Sequence, residues 1–210
     1  MRTLTIDLVT DIVCPWCFIG SRRLDEALAS LTDVEVTVRH VPFLLDPSAP
    51  PGGGDLRERL RAKYRADPER MFKNVEAQAR SSGIPLDFAK VTRWCSTAEA
   101  HTLLRHAEAK GTQRALVGAL YNAYFLEGRD IGDVEVLADI ASAHGFARDE
   151  ALSLVRDANE LAVTRKEAAS VAAQGVQGVP FFIFGEQFAA SGAQPVEVIR
   201  GAIEKALSEE

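Results

Sequence analysis

Two of the three cysteines stand three residues apart, as Cys14-Pro15-Trp16-Cys17, directly after a stretch typical of a buried strand. Residues 3–10 are apolar at alternate positions and β-branched elsewhere, which favours a central strand. Pro15 suits the first turn of a helix, because its missing N–H would have no intrahelical partner there. The chain is therefore predicted to pass from a strand into a helix here, with both thiols on one face of the first turn.

This position gives the two thiols different expected roles. Unpaired N–H groups and the positive end of the helix dipole stabilise a thiolate at a helix N-terminus. Cys14 is therefore the candidate exposed nucleophile, and Cys17, close enough to form a disulfide with it, is the candidate resolving thiol. Pro15 and Trp16 are expected to tune the couple. Because Trp16 is uncharged, thiolate stabilisation is expected to rest on the helix terminus.

The rest of the chain divides into three parts. Residues 34–41 alternate as a second strand after the first helix, and a β-α-β unit predicts that the two strands are parallel. Residues 46–54 have the composition of a linker, and residues 55–159 have a helical period with no convincing strand. Two apolar runs at 181–184 and 188–191 then indicate a β-hairpin, followed by a final amphipathic helix.

Charge and cysteine count exclude several classes of protein. The net charge of −6 and the pI of about 5.3 provide no global basic field for nucleic acid. An odd total of three cysteines does not suit a disulfide-stapled secreted scaffold. With no signal segment and no apolar run of ~18 residues, we expect a cytoplasmic protein and no membrane partner. A zinc site is disfavoured, because Cys95 and four scattered histidines supply no second ligand pair.

The sequence resembles the DsbA-like branch of the thioredoxin superfamily along its whole length, and within it the FrnE-like group. The motifs that carry the resemblance are residues 11–20 (DIVCPWCFIG), 42–45, 178–182 and 191–194.

The resemblance implies an α/β protein with a thioredoxin fold, in the order β-α-β … α-β-β-α around a central mixed sheet. Residues 1–45 and 159–210 would form the thioredoxin-like domain, and residues 46–158 an inserted helical domain.

The implied activity is that of a thiol–disulfide oxidoreductase acting as oxidase, reductase or isomerase on protein or peptide thiols. Cys14 and Cys17 would be its catalytic residues. The dithiol carries two electrons, so neither a metal nor an organic cofactor is expected, and glutathione is a candidate reductant. Val179 and Pro180 match the family's cis-proline step beside the active site, where the Val179 backbone would pair with an extended substrate. Phe181 is assigned to the same substrate groove. For Pro180, the alternative is an ordinary trans proline before a strand.

One departure concerns the proton acceptor for Cys17. Thioredoxins carry a buried acid six residues before the nucleophile, where this chain has Leu8. Asp7 and Asp11 are the nearest carboxylates, and Asp11 is the better candidate because it lies just before the active-site turn. A solvated or turn-forming aspartate is the alternative.

The sequence leaves two alternative functions open. Kappa-class glutathione transferases and 2-hydroxychromene-2-carboxylate isomerases share the fold but typically have serine at the position of Cys14. A non-catalytic binding module or chaperone is a third reading. Cys95 is expected to be a small buried hydrophobe, with a regulatory disulfide to Cys14 as the alternative. His101 is expected to hydrogen-bond within the helical region, and Arg57, Arg61 and Arg65 to form a solvated helix face.

Overall fold

The computed structural model describes residues 2–32, 34–50 and 52–208 of the 210-residue chain. Its N-terminal part is strand β1 (Arg2–Thr10), helix α1 (Pro15–Ala29) and strand β2 (Val34–Pro42). The two strands are parallel along their whole length, from Arg2 opposite Val34 to Thr10 opposite Pro42. The predicted β-α-β unit is confirmed.

Helices dominate the next part of the described chain. The elements in order are β3 (Gly54–Asp55), α2 (Leu56–Tyr64), α3 (Pro68–Ser81), β4 (Arg93–Trp94), α4 (Ala98–Ala109), α5 (Gln113–Tyr121), a π-helical turn (Asn122–Leu126), α6 (Val134–Ser142), α7 (Arg148–Arg156) and α8 (Ala158–Ala173). The expectation of no strand here is wrong at one point, because β3 and β4 pair antiparallel. Two residues per strand are too few to leave an alternating pattern in the sequence.

The chain then returns to the sheet. Strands β5 (Phe181–Phe184) and β6 (Phe188–Ser191) form the predicted antiparallel hairpin, and helix α9 (Val196–Ser208) follows. Because β5 also pairs antiparallel with β1, the four strands form one mixed sheet in the order β2-β1-β5-β6. The predicted thioredoxin fold, with helices placed between β2 and the hairpin, is confirmed.

Helix α1 belongs to two hydrophobic cores. Its later residues Leu24 and Ala27 pack with the sheet and α9 in one core. Its first turns supply Cys17, Phe18 and Ile19 to a larger core that extends through the helical region. The start of α1 is therefore fixed from both sides. The domain boundaries at residues 46 and 158 stay a prediction.

His40 joins the helical region to the sheet at β2. Its backbone N–H donates to Gln113 Oε1 at 2.8 Å, and Gln113 Nε2 donates back to the His40 carbonyl at 3.1 Å. The imidazole is buried, and its Nδ1 has no hydrogen-bond partner among the described residues. Burial lowers the pKa of His40 from 6.5 to about 3, with a further contribution from the charge of Arg114.

We predict that His40 makes the fold acid-sensitive. Between pH 6.5 and about 3 the unfolded chain binds one proton that the folded chain does not, so this group's stabilisation is complete above pH 6.5 and is lost as the pH falls. The corresponding slope is about 1.4 kcal/mol per pH unit. Urea unfolding of the wild type and His40→Gln between pH 7 and 4.5 measures it. Equal slopes for the two proteins would contradict the assignment.

A second prediction concerns the contact between α1 and the start of β5. A Cβ added at Gly20 would lie 3.0 Å from Pro180 Cγ and 3.3 Å from Phe182 Cζ, whereas a Cβ at the exposed helical Gly201 would meet nothing within 4 Å. We expect Gly20→Ala to lower the free energy of unfolding by about 1–3 kcal/mol through overpacking. Gly201→Ala is the matched control and should raise that free energy by up to about 1 kcal/mol. If denaturant unfolding shows that both substitutions raise the free energy of unfolding by the same amount, the tight contact is refuted.

Candidate active site

The turn between β1 and α1 places Cys14 at the N-terminus of the helix. The Cys14 N–H donates to the Asp11 carbonyl at 3.1 Å, which closes the turn. Cys14 is the N-cap residue with extended backbone angles, φ −90° and ψ 111°, and Pro15 begins the helix. Its carbonyl accepts from the N–H groups of Cys17 and Phe18 at 3.1 and 3.3 Å. The sulfur of Cys14 thus lies at the positive end of the α1 dipole, as the sequence predicts.

The Cys14 side chain is less accessible than expected. Cys14 is only 4% exposed, so the expectation of an exposed nucleophile is wrong. The thiol donates to the Val179 carbonyl at 3.6 Å, across the loop that precedes β5. The Val179–Pro180 peptide bond in this loop is cis. The loop covers one side of the sulfur, and the other side faces a cavity.

Cys17 lies one helical turn deeper and is completely buried. Burial raises the pKa of Cys17 well above 9.0, and the neighbouring Cys14 side chain raises it further, while a hydrogen bond from the Asp11 backbone lowers it. Cys17 is therefore a protonated thiol at neutral pH. All three cysteines of the chain are free thiols in this structure.

Asp11 and His101 form a buried pair behind the dithiol. The Asp11 Oδ2 accepts from the Leu45 N–H at 2.8 Å, and its Oδ1 lies 3.5 Å from His101 Nε2. The two side chains are 1% and 2% exposed, and neither Oδ1 nor Nε2 has a hydrogen-bond partner among the described residues. The alternative of a solvated Asp11 is thereby excluded, whereas Asp11 does form the turn, because its carbonyl accepts from the Cys14 N–H. Asp7 is instead engaged in an ion pair with Arg39 at 2.6 Å.

An apolar cavity of about 380 Å³ opens beside Cys14. Its walls come from the active-site turn, the segment after β2, α2, α3, the segment from Phe88 to β4, the π-helical turn and the loop before β5. The lining includes Val13, Cys14, Pro15, Trp16, Leu45, Asp46, Leu56, Arg59, Leu60, Lys63, Tyr64, Met71, Phe72, Val75, Phe88, Trp94, Tyr124, Phe125 and Val179. The volume falls in the range of small-molecule sites, which run from about 300 to 1,000 Å³. A group that enters this cavity can reach the nucleophile.

The π-helical turn shapes one wall of the cavity. It places both Tyr124 and Phe125 on the lining, and the Tyr124 hydroxyl donates to the Arg93 carbonyl at 2.7 Å. Phe125 stacks on Phe18 of α1 at a centroid distance of 5.8 Å. This turn continues directly from the end of α5, and π-helical turns, which are rare overall, are frequent at functional sites.

The structure brings together some of the predicted site residues and separates others. Cys14, Pro15, Trp16 and Val179 share the cavity wall, and Asp11 lies behind it. Pro180 is buried, and Phe181 packs against the cluster of Val9, Phe43 and Val176 instead of the cavity lining.

Cys95 is buried, as predicted, and burial raises its pKa far above 9.0. The regulatory disulfide between Cys95 and Cys14 stays an untested alternative.

Sequence reasoning missed the contact between His101 and Asp11. His101 stands 90 positions from Asp11 in the chain, and no local pattern around either residue indicates that they meet. The packing of α4 against the active-site turn creates the pair. Within residues 2–32, 34–50 and 52–208, no group of three or more His, Cys, Asp or Glu side chains is placed to hold a metal ion. In the same ranges every helix is too short or too polar to cross a membrane.

Known proteins of one family resemble this chain in sequence and in fold. The model of the DSBA-like thioredoxin domain family matches residues 5–204. A Streptomyces coelicolor structure described as a probable DsbA oxidoreductase is 31% identical, with a TM-score of 0.88 over 99% of this chain and 91% of that one.

Two more distant structures share the fold. A 2-hydroxychromene-2-carboxylate isomerase has a TM-score of 0.76 at 16% identity, over 98% of this chain and 97% of that one. The cytosolic disulfide reductase DsbM from Pseudomonas aeruginosa, with GSH, has a TM-score of 0.65 at 19% identity, over 97% and 99%. With the family match covering nearly all of the sequence, the chain belongs to the DSBA-like thioredoxin domain family.

Proposed function

We propose that this protein is a thiol–disulfide oxidoreductase that acts on protein or peptide thiols through Cys14 and Cys17. The observation that carries the proposal is the placement of the two sulfurs. Cys14 lies at the N-terminus of α1 on the cavity wall, and Cys17 lies fully buried one turn behind it. Membership of the DSBA-like family supports the same chemistry. Oxidation, reduction and isomerisation share these exchange steps, and the reduction potential sets the net direction.

The proposed exchange has two steps. In reduction, the Cys14 thiolate attacks a substrate disulfide, the substrate S–S bond breaks, and one substrate thiol leaves. The Cys17 thiolate then attacks Cys14 of the mixed disulfide and releases the second substrate thiol. The substrate gains two electrons and two protons, and the protein retains a Cys14–Cys17 disulfide. Substrate oxidation is the reverse sequence.

Asp11 is the proposed proton acceptor for Cys17. Because Cys17 is held protonated by burial, the second step needs a base. The Asp11 backbone contacts Cys17, and its carboxylate oxygen Oδ1 is without a hydrogen-bond partner among the described residues. The Leu45 N–H, which donates to Oδ2 at 2.8 Å, would hold the carboxyl in place, with His101 Nε2 3.5 Å from Oδ1. Asp11 would thus replace the acid that is absent at Leu8.

The substrate is proposed to lie along the loop before β5. The half-buried Val179 has its carbonyl beside the Cys14 sulfur, where an extended substrate backbone could pair with it. Pro180 supplies no N–H at this point. Phe181 is proposed to support the loop from behind through its contacts with the Val9 cluster.

Glutathione is the proposed reductant that restores the dithiol. Two glutathione thiols would reduce the Cys14–Cys17 disulfide and leave as glutathione disulfide, so the cycle needs no metal or organic cofactor. Such a cycle suits a cytoplasmic location, where glutathione keeps thiols reduced. DsbM, which shares the fold, is described as cytosolic and its structure includes GSH.

We predict that replacing Cys14 and replacing Cys17 block different steps of the reaction. Cys14→Ser should reduce insulin-reduction activity to the uncatalysed background, because the nucleophile is lost. Cys17→Ser should still attack and should accumulate a mixed disulfide on Cys14, which mass spectrometry detects. Cys95→Ala is the control and should retain activity.

Full insulin reduction by Cys14→Ser would refute the mechanism. Glutathione conjugation to chlorodinitrobenzene that persists in a cysteine-free variant would favour a transferase instead.

A further prediction concerns the second exchange step. With nitrobenzoate thiol attached to Cys14 as a mixed disulfide, Asp11→Asn should slow its release by Cys17 about 10²-fold at pH 7, the lower end of the range for a lost general base. The rate should recover as the pH rises, because the Cys17 thiolate then forms without the carboxylate. Attack by Cys14 on the free disulfide, measured by stopped flow, should change little. Equal slowing of both steps would mean that Asp11 merely maintains the turn.

A further inference from the structure

Helix α2 presents an apolar face that the protein leaves partly uncovered. None of its nine residues is buried, although Leu56 and Leu60 lie one turn apart on the same face. Both leucines line the cavity beside Cys14 and are half-buried, with part of each packed against the hydrophobic core. Apolar side chains left uncovered around a concave site indicate a ligand with an apolar body.

A second, aromatic part of the cavity wall is also apolar. Phe72 and Phe88 stack there with centroids 4.1 Å apart, beside Val75 of α3. Cys14 lies on the lining of the same cavity. A thiol or disulfide with its sulfur at Cys14 would therefore place its attached carbon chain against these rings and against Leu56 and Leu60.

The charged side chains on the lining favour an anion. Helix α2 carries four basic residues and one acidic residue in a chain of net charge −6. Arg59 forms an ion pair with Asp46 and lies over the Trp94 ring, 5.0 Å from its centroid. Lys63 Nζ donates to the Leu45 carbonyl at 3.1 Å and forms no ion pair within the described part of the chain. One positive charge on the lining is thus left without a carboxylate.

We propose that this cavity binds low-molecular-weight thiols and disulfides with an apolar body and a terminal carboxylate, as a further substrate class of the Cys14–Cys17 pair. The sulfur lies at Cys14, the apolar body lies between α2 and the aromatic wall, and the carboxylate lies at Lys63. The chemistry at Cys14 rests on the proposed function, whereas the selection by shape and charge does not.

The reaction balances without a further cofactor. The Cys14 and Cys17 thiols reduce one small disulfide to two carboxylate-bearing thiols and become a disulfide, transferring two electrons and two protons. Two glutathione thiols then reduce the Cys14–Cys17 disulfide and leave as glutathione disulfide.

Binding can be tested apart from redox chemistry with probes that lack sulfur. The chain's two tryptophans, Trp16 and Trp94, both line the cavity, so their fluorescence reports its occupancy. We expect hexanoate and octanoate to bind, with affinity rising roughly fourfold per added methylene. Octylamine should bind less tightly than octanoate. Equal affinity for hexanoate and octanoate, or octylamine binding as tightly as octanoate, would overturn the proposal.

Two matched variants test the position of the carboxylate. Lys63→Gln should weaken octanoate binding about two- to fivefold, as expected for loss of an exposed charge partner, and leave octylamine unweakened. Arg61→Gln removes the same charge from an exposed position of α2 outside the cavity lining, and should leave octanoate binding unchanged. Equal effects of the two variants would show a diffuse field and overturn the assigned site.

Turnover separates failure of this inference from failure of the proposed function. With glutathione as reductant, kcat/KM should be higher for bis(carboxyalkyl) disulfides than for cystamine, and should rise with alkyl length. The neutral hydroxyethyl disulfide is the reference. If the wild type reduces hydroxyethyl disulfide but prefers neither carboxylate-bearing disulfides nor longer alkyl chains, the inference fails and the proposed oxidoreductase function stands. If octanoate binds selectively but no disulfide is reduced, the proposed function fails and the cavity assignment stands.

Discussion

The first turn of α1 is held between two backbone segments, and the arrangement of the site depends on this constraint. On one side the Asp11 carbonyl accepts from the Cys14 N–H, and on the other the Val179 carbonyl lies 3.6 Å from the Cys14 sulfur. Gly20 allows the helix to approach Pro180, since a Cβ there would lie 3.0 Å from the proline ring. The nucleophile is thus fixed at the helix N-terminus, with one side open to the cavity and Cys17 enclosed behind it.

Burial explains how the two thiols are kept distinct. The Cys17 thiol is enclosed by the core of the helical region, and this raises its pKa and keeps it protonated until a base accepts the proton. A buried polar group without a partner is costly, so the unpartnered Asp11 Oδ1 facing His101 Nε2 needs a reason. Its proposed role in moving the Cys17 proton supplies one. The helices between β2 and β5 therefore provide both the enclosure and His101.

The sequence allowed the fold to be predicted further than the site. The parallel β-α-β unit and the hairpin at β5 and β6 leave strong local patterns, and the CxxC spacing places both thiols in one helical turn. The contact of Asp11 with His101 leaves no local pattern in the sequence, because it depends on how α4 packs against a turn 90 positions away. The 4% exposure of Cys14 was missed for the same reason, since Val179 covers it from a distant part of the chain. The cavity likewise requires α2 and α3 in place.

The most direct test is an equilibrium titration of the protein in glutathione redox buffers, with free thiols counted by alkylation and mass spectrometry. The account predicts a single two-electron transition in which Cys14 and Cys17 are lost together as thiols while Cys95 stays reduced. Cys95→Ala should titrate at the same potential, and Cys14→Ser should show no intramolecular transition. A wild-type protein that forms no Cys14–Cys17 disulfide, or that pairs Cys14 with Cys95 instead, would contradict the account.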